Sequence, residues 1–335
     1  MTPPEQINRR KFINQSSKIA VVAAGATFAA STTSATKPTF AKSTSTAKKT
    51  ETKTETKVGA FTKSFQDHSI PEVCHIFKKI GLDGLDLTVR KGGHIDPKNV
   101  KTELPQAAAA AKAEGVELLF LTTGITENNQ EAEALLAAAE KIGIDRIKLG
   151  YFRYKQFGTL AKQIGMVKKS LASIIKLTKK YHIKPCVHIH SNSLIPSHGT
   201  LCYQLLQDFD PKEIGAYVDT LHMVKEGAGD GWRQGLDLLA PWVSMCAVKN
   251  FSFEQDKNNK RDKQGQMIWH TKTVPVADGI SPIPKFVMRL KQIGFHGPYS
   301  LHSEYKGRHS FVNMNTEACI AQTEKDIKYF RPLVN

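Results

Sequence analysis

The sequence begins a series of eight short apolar, β-branched runs with VGAFT at 58–62, LDLTV at 85–89 and VELLFL at 116–121. The other five runs are RIKLGY at 146–151, PCVHIH at 185–190, IGAYVD at 214–219, VSMCAVK at 243–249 and PYSLHS at 298–303. Short apolar runs of this kind, bounded by polar and turn-forming segments, are typical of buried strands. The sequence therefore predicts eight strands after residue 57.

Helix-like segments separate these strands, the clearest at 105–114, 130–142, 157–181, 283–293 and 315–330. Strands that alternate with helices form parallel sheets, and a (βα)₈ barrel typically has about 250 residues. Residues 58–335 thus predict one α/β domain, a (βα)₈ TIM barrel. The alternative is a doubly wound open sheet, which usually carries a glycine-rich phosphate turn after its first strand. Residues 61–65 read FTKSF without a glycine, which favours the barrel.

The first 35 residues have the pattern of an export signal. Arg9 and Arg10 precede an apolar run at 19–30, and small residues follow through Ala35. A charged start, a short apolar run and a small-residue exit predict a signal peptide of twin-arginine type over 1–35. A membrane anchor is the alternative, but a spanning helix needs about 20 apolar residues. We therefore expect a periplasmic or secreted protein without a stable membrane anchor.

Residues 36–57 are rich in threonine and lysine and contain one aromatic residue. Such a segment buries too little apolar surface to offset its ordering entropy, which predicts a disordered linker. The chain carries a formal net charge of +16, but its basic residues are spread thinly, so we expect no nucleic-acid partner. Five scattered cysteines without a CxxC pair argue against a disulfide scaffold and a cysteine zinc site.

Polar residues follow nearly every predicted strand. In a TIM barrel the C-terminal strand ends and the loops after them form the active site. A polar rim suits a polyhydroxylated, partly anionic ligand, because arginine and lysine bind its oxygens. The predicted substrate-binding residues are Lys63, Arg90, His94, Arg153, Glu226 and Trp232.

Two tryptophans and one long loop have two interpretations each. Trp232 and Trp269 are candidates for stacking against a sugar ring, and core packing is the alternative. The loop from Phe251 to Gly279 is long for this fold, so it is either a lid over the site or an exposed insertion.

Four residues near the ends of strands five, six and eight form a candidate metal site. His188 and His190 lie two residues apart, so they share one face of their strand. Asp219 ends the sixth strand, and Glu304 follows the eighth. Imidazoles together with carboxylates suit a divalent metal such as manganese, cobalt, zinc or magnesium. The alternative is that the two histidines are hydrogen-bonded core residues.

Three motifs, in order, resemble the sugar phosphate isomerase/epimerase family, which has the xylose-isomerase-like barrel. GLDGLDL at 81–87 resembles its second-strand signature, and DTLHM at 219–223 is similar to the Asp-Thr-x-His-Met element of ketose 3-epimerases. GPYSLHSEY at 297–305 resembles its last strand. This resemblance, over about 58–335, implies that Asp219 binds metal and that His222 contacts substrate. It also implies that Glu304 is both a metal ligand and the catalytic acid or base.

Two departures from the family pattern concern the metal ligands. The family usually supplies a glutamate from strand five, where this chain has His188 and His190. It usually supplies a histidine from strand seven, where this chain reads AVKN at 247–250. Lys249 is a candidate substitute, acting either as a base that has lost its proton or as a cation that stabilises an enolate. A lysine that merely reaches the surface is the alternative.

These features predict a divalent-metal carbohydrate enzyme, either an isomerase or epimerase or a keto-sugar lyase or hydratase. It would remove a proton next to a carbonyl and stabilise the enediolate on the metal, with Glu304, Lys249 and His222 as catalytic residues. Its expected partner is a small-molecule carbohydrate, and a homo-oligomer is compatible with the sequence. Two alternatives stay open: a non-catalytic sugar-binding barrel with a degraded metal site, and an abasic-site endonuclease-like phosphodiesterase, which shares the barrel.

Overall fold

The computed structural model describes residues 56–335. The predicted signal peptide and nearly all of the predicted linker lie outside these residues, so both stay predictions. In the part of the chain that is described, no helix is long and apolar enough to cross a membrane.

Eight parallel strands close into a barrel, and this confirms the predicted fold. The strands are β1 (Val58–Phe61), β2 (Gly84–Val89), β3 (Glu117–Thr123), β4 (Arg146–Lys148), β5 (Lys184–His188), β6 (Gly215–Asp219), β7 (Val243–Val248) and β8 (Tyr299–Leu301). Each strand pairs with the next in the chain, and β1 pairs with both β2 and β8. Every predicted strand is thus a barrel strand, and the open-sheet alternative is wrong.

The described residues form nine α-helices, of which eight lie in the connections between strands and the ninth follows β8. They are α1 (Ile70–Lys79), α2 (Val100–Glu114), α3 (Gln130–Lys141), α4 (Leu160–Thr178), α5 (Gly199–Leu206), α6 (Thr220–Glu226), α7 (Gly231–Leu239), α8 (Ile283–Gln292) and α9 (Thr316–Val334). Side chains cap several of them: Asn129 accepts from Ala132 N at the start of α3, and Asn315 accepts from Ala318 N at the start of α9.

The core has two parts, as a closed barrel requires. The larger part lies between the strands and the surrounding helices. The smaller part fills the barrel interior with Phe120, Cys186, Tyr217, Met245 and Ala247. The buried thiols of Cys186 and Cys246 are free, as expected for strand residues of this kind.

The long loop at 251–279 contains a β-hairpin. Its arms are the antiparallel strands Asn250–Gln255 and Trp269–Val274. Trp269 lies at the start of the second arm and is exposed. A second small antiparallel sheet joins Phe152–Arg153 to Leu194–Ile195 and links the loops that follow β4 and β5.

Candidate active site

Asp219 lies at the centre of the candidate site. It is the last residue of β6 and is fully buried. Its Oδ1 accepts hydrogen bonds from the backbone N–H groups of Leu221 and His222, each at 2.9 Å. Its Oδ2 lies 3.2 Å from His188 Nε2 and 3.4 Å from Lys249 Nζ. Burial opposes the charge of Asp219, but the ammonium of Lys249 and the hydrogen bond with His188 outweigh it and hold the pKa of Asp219 well below its usual range.

Lys249 connects Asp219 to the second carboxylate of the site, Glu304. Lys249 directly follows β7, and its Nζ donates a hydrogen bond to Glu304 Oε2 at 3.2 Å. The other oxygen of Glu304 accepts a hydrogen bond from Lys63 Nζ at 2.6 Å. Asp219, Lys249, Glu304 and Lys63 therefore form a chain of alternating charge, here called the ion-pair chain. It starts inside the barrel and ends at the solvent.

The ion-pair chain keeps all of its buried members charged. Burial disfavours the ammonium of Lys249, but Asp219 and Glu304 overcome it and raise the pKa of Lys249. Burial likewise disfavours the charge of Glu304, yet Lys249 and Lys63 hold the pKa of Glu304 well below its usual range. Of the two roles predicted for Lys249, these contacts favour the cation and oppose the neutral base.

Three histidines pack beside the ion-pair chain. His188 Nδ1 lies 3.1 Å from the hydroxyl of Tyr151. His222 Nδ1 lies 2.8 Å from Ser191 Oγ, and its Nε2 is buried without a hydrogen-bond partner in the described chain. The rings of His190 and His222 are 3.8 Å apart, in tilted contact. The structure thus brings together the four predicted metal ligands and the predicted substrate-contacting histidine.

These imidazoles are held in their neutral form. Burial keeps the pKa of His188 and of His222 well below the usual range for histidine. Burial also lowers the pKa of His190 to about 4, and the charge of Lys249 acts in the same direction. His190 is half-buried, and its Nδ1 lies 3.1 Å from the carbonyl oxygen of Ser191. Neutral histidines offer both hydrogen-bond donors and acceptors at the barrel mouth.

Lys148 is a second buried lysine that the sequence analysis did not single out. It is the last residue of β4 and is 1% exposed. Its Nζ lies 3.5 Å from the ring centroid of Tyr151 and has no hydrogen-bond partner among residues 56–335. Burial, followed by the charges of Arg90 and Lys249, holds the pKa of Lys148 well below its usual range.

A hydrogen-bond network lies under the site in the barrel interior. Asp86 of β2 is fully buried and accepts hydrogen bonds from Thr122, at 2.5 Å, and from Ser300, at 3.0 Å. The hydroxyl of Tyr217 lies 3.2 Å from Asp86 and 2.9 Å from His302 Nε2. These partners satisfy the buried carboxylate, so this network supports the floor of the site.

Three predicted substrate-binding residues lie away from the ion-pair chain. His94 is held by Thr88, whose Oγ1 is 3.2 Å from His94 Nδ1. Glu226, at the end of α6, accepts a hydrogen bond from the backbone N–H of Asn192 at 3.0 Å. Trp232 is buried in α7 and stacks on Phe286, with ring centroids 5.0 Å apart. This core position leaves Trp232 no ring face for a sugar, so its predicted stacking role is wrong.

Two predicted cations lie at the rim of the barrel mouth. Arg90 follows β2 and is half-buried, with its guanidinium 5.5 Å from the ring centroid of Phe61. Arg153 is exposed in the small sheet that pairs it with Leu194. Arg90 thus adds a positive charge to the mouth, beside Lys63 at the outer end of the ion-pair chain.

A family model described as a xylose isomerase-like TIM barrel matches residues 74–333. The chain belongs to this family. The resemblance seen in the sequence motifs is therefore confirmed at the level of the family and its fold. No curated protein sequence matches the chain.

Several solved structures share the fold of this chain. The 3-keto-D-glucoside 4-epimerase of E. coli is 15% identical, with a TM-score of 0.60 over 83% of this chain and all of that one. D-psicose 3-epimerase of Clostridium cellulolyticum H10, solved with D-tagatose, is 12% identical, with a TM-score of 0.60 over 83% of this chain and 99% of that one. A barrel protein from Mycobacterium smegmatis, in complex with magnesium, is 11% identical, with a TM-score of 0.60 over 84% and 98%.

The predicted metal ligands do not fit a divalent ion in the arrangement seen in this family member. Within 56–335, no group of three or more His, Cys, Asp or Glu side chains converges in a way that could hold a metal. The ammonium of Lys249 lies between Asp219 and Glu304, two of the four predicted ligands. A cation therefore already occupies the place where those two carboxylates converge.

The residues that the sequence analysis missed carry weak signals in this xylose isomerase-like chain. Lys148 is a lysine inside an apolar run, RIKLGY, where a strand residue facing inward is normally apolar. Tyr151 follows three residues later. Asp86 and His302 lie inside two of the three motifs that carried the resemblance, but neither motif assigned them a role. A charged residue within a buried strand run is the signal that would have found both Lys148 and Asp86.

Proposed function

We propose that the protein is an enzyme that moves a proton on a carbon next to the carbonyl of a small carbohydrate. The outcome is isomerisation, epimerisation or elimination. The observation that carries this proposal is the ion-pair chain, which places a charged carboxylate between two ammonium groups at the barrel mouth. The epimerase names of the structural relatives support a sugar substrate.

Glu304 is the residue best placed to accept the proton. Its side chain is 25% exposed, so a ligand at the barrel mouth can reach it, while Lys63 and Lys249 keep it ionised. A carboxylate in this position removes a proton from carbon, and its acid form returns the proton in the next step. The low pKa of Glu304 makes it a weak base in the free protein, so substrate must displace Lys63 from Oε1 for the carboxylate to react.

Lys249 and the histidines supply the remaining chemistry. When a proton leaves the carbon, negative charge develops on the neighbouring oxygen. The Lys249 ammonium is fixed by Asp219 and can stabilise that charge without reorganisation. His190 is neutral and half-buried at the mouth, where it can bind a sugar hydroxyl.

A panel of substrates tests this proposal. Purified protein is incubated with aldoses, ketoses, and keto-glycosides oxidised at carbon 3, and the products are identified by NMR. We expect at least one panel member to be converted, and Glu304→Gln to slow its conversion by ~10²–10⁴-fold. Glu324→Gln on the exposed face of α9 is the matched control and should leave the rate unchanged. Equal rates in wild type and Glu304→Gln would show that the site lies elsewhere.

A sugar-binding protein without catalysis is the second candidate. The observation that favours it is the burial of Asp219 and Lys249 in mutual ion pairs, which satisfies both charges without a substrate. Tight binding of a panel sugar, with no product after long incubation, would support this candidate over the enzyme.

We also propose export by the twin-arginine route, on the evidence of Arg9, Arg10 and the apolar run at 19–30.

A further inference from the structure

The charges of the ion-pair chain already balance. Asp219 and Glu304 contribute two negative charges, and Lys249 and Lys63 contribute two positive ones. A divalent cation added to this cluster would meet two carboxylates whose charge is already compensated. The half-buried guanidinium of Arg90 adds another positive charge at the same mouth.

We infer that Lys249 takes the place of a divalent metal, so that the protein carries its own fixed cation between Asp219 and Glu304. The ammonium then performs the role predicted for the metal: it holds the two carboxylates together and faces the oxygen on which charge develops. This inference rests on the proposed function only for that catalytic use. The statement that a divalent ion is excluded from the site concerns binding alone.

The distances show why lysine and metal compete for one position. Lys249 Nζ lies 3.4 Å from Asp219 Oδ2 and 3.2 Å from Glu304 Oε2. A divalent transition metal binds carboxylate oxygens at about 2.0–2.2 Å. An ion bound to both of these oxygens would therefore lie almost in contact with the ammonium group, where the two like charges repel strongly.

The backbone of Lys249 is held in place by Thr220. The backbone N–H of Lys249 donates to Thr220 Oγ1 at 3.0 Å, and its carbonyl accepts from the same hydroxyl at 2.7 Å. Its side chain is 4% exposed, so the ammonium would lose both carboxylates and gain no water if it moved aside. Binding of a metal would leave the Lys249 ammonium buried without a partner, and the free-energy cost of that state disfavours metal binding.

Calorimetric titration with Mn²⁺ and Co²⁺ tests the inference on tag-free protein first dialysed against a chelator. Wild type should show no binding at this site. Lys249→Ala removes the ammonium that separates Asp219 from Glu304, so these two carboxylates and His188 can move together around an ion. The variant should bind about one equivalent, at least ~100-fold more tightly than wild type. Lys63→Ala is the matched control, because it removes a lysine from Glu304 but leaves Lys249 in place, and it should gain no site.

Two calorimetric results would overturn the inference. One is binding by wild type that Asp219→Asn abolishes. The other is the absence of binding in both wild type and a folded Lys249→Ala, because Lys249 would then replace nothing.

A measurement on wild type keeps the inference testable if Lys249→Ala does not fold. The melting temperature and turnover of wild type should be the same in chelator and in excess Mn²⁺. A rise in melting temperature with Mn²⁺ that disappears in Asp219→Asn would overturn the inference. Unaltered melting with no turnover of any panel sugar would instead leave the cation assignment standing and refute the proposed function.

Discussion

Replacing Lys148 with methionine should stabilise the protein. The Lys148 amine is buried at the end of β4, has no hydrogen-bond partner among residues 56–335, and lies 3.5 Å from the centroid of the Tyr151 ring. A buried donor without a partner costs ~1–3 kcal/mol, and a contact with an aromatic face returns only ~0.5–1 kcal/mol. Methionine fills a similar volume without a polar group. We therefore expect Lys148→Met to raise the free energy of unfolding by ~1–2 kcal/mol at a pH where the wild-type amine is neutral in both the folded and the unfolded protein.

The same substitution should have an effect that depends on pH. Burial and the charges of Arg90 and Lys249 hold the pKa of Lys148 well below its usual range. The unfolded chain therefore binds a proton that the folded chain lacks, at every pH between the folded pKa and about 10.4. As the pH falls through that window, proton binding by unfolded Lys148 lowers the free energy of unfolding of wild type by up to ~1.4 kcal/mol per pH unit. The variant lacks this group and shows no such decrease. The advantage of Lys148→Met should thus be smallest near pH 10 and grow towards neutrality.

Chemical unfolding at pH 8 and pH 10 measures both effects. Lys169→Met, at an exposed position of α4, is the matched control and should change stability by less than ~0.5 kcal/mol at either pH. The reasoning fails if Lys148→Met destabilises the protein at pH 8. It also fails if the difference from wild type is the same at both pH values, because Lys148 would then keep its proton in the folded state.

Three further predictions concern other charged groups. Burial lowers the pKa of His190 to about 4, so the protein takes up a proton when it unfolds between pH 4 and pH 6.5. The free energy of unfolding should therefore decrease as the pH falls from 6.5 to 4. In chemical unfolding, His190→Asn should make this decrease smaller. Lys63 helps to hold the pKa of Glu304 low, so Lys63→Met should move the acidic limb of the pH profile of kcat/KM to higher pH. The shift should be less than ~1 pH unit, because Lys63 is half-exposed. An acidic limb that does not move would show that Glu304 is not the titrating base. Replacing Arg9 and Arg10 with lysines should retain the precursor in the cytoplasm, as fractionation would show, whereas normal export would indicate the general secretory route.

The barrel and the neighbourhood of the site could be predicted because both follow from strand order. Asp219, Lys249 and Glu304 come at or just after the ends of β6, β7 and β8, and consecutive barrel strands are neighbours in space. A residue's position along the chain thus fixed its position around the mouth. The bounds of the strands came within a few residues, because each apolar run ends where polar residues begin.

The contents of the site could not be predicted in the same way. Which cation lies between Asp219 and Glu304 depends on the reach of the Lys249 side chain, and strand order does not determine this. Trp232 was assigned to the mouth, but its place on α7 turns its ring towards Phe286 and the core. The apolar run RIKLGY marks Lys148 as unusual, but the run does not determine which groups its amine contacts.

The most direct test of the central claim follows a labelled hydrogen. A panel sugar that the protein converts is prepared with deuterium on the carbon next to its carbonyl, and release of the label to water is measured by NMR. Isomerisation, epimerisation and elimination all release the label to water when the proton taken up by the base exchanges with water. We expect release by wild type and a rate ~10²–10⁴-fold lower in folded Glu304→Gln. Release of the label at an equal rate in folded Glu304→Gln would contradict this expectation.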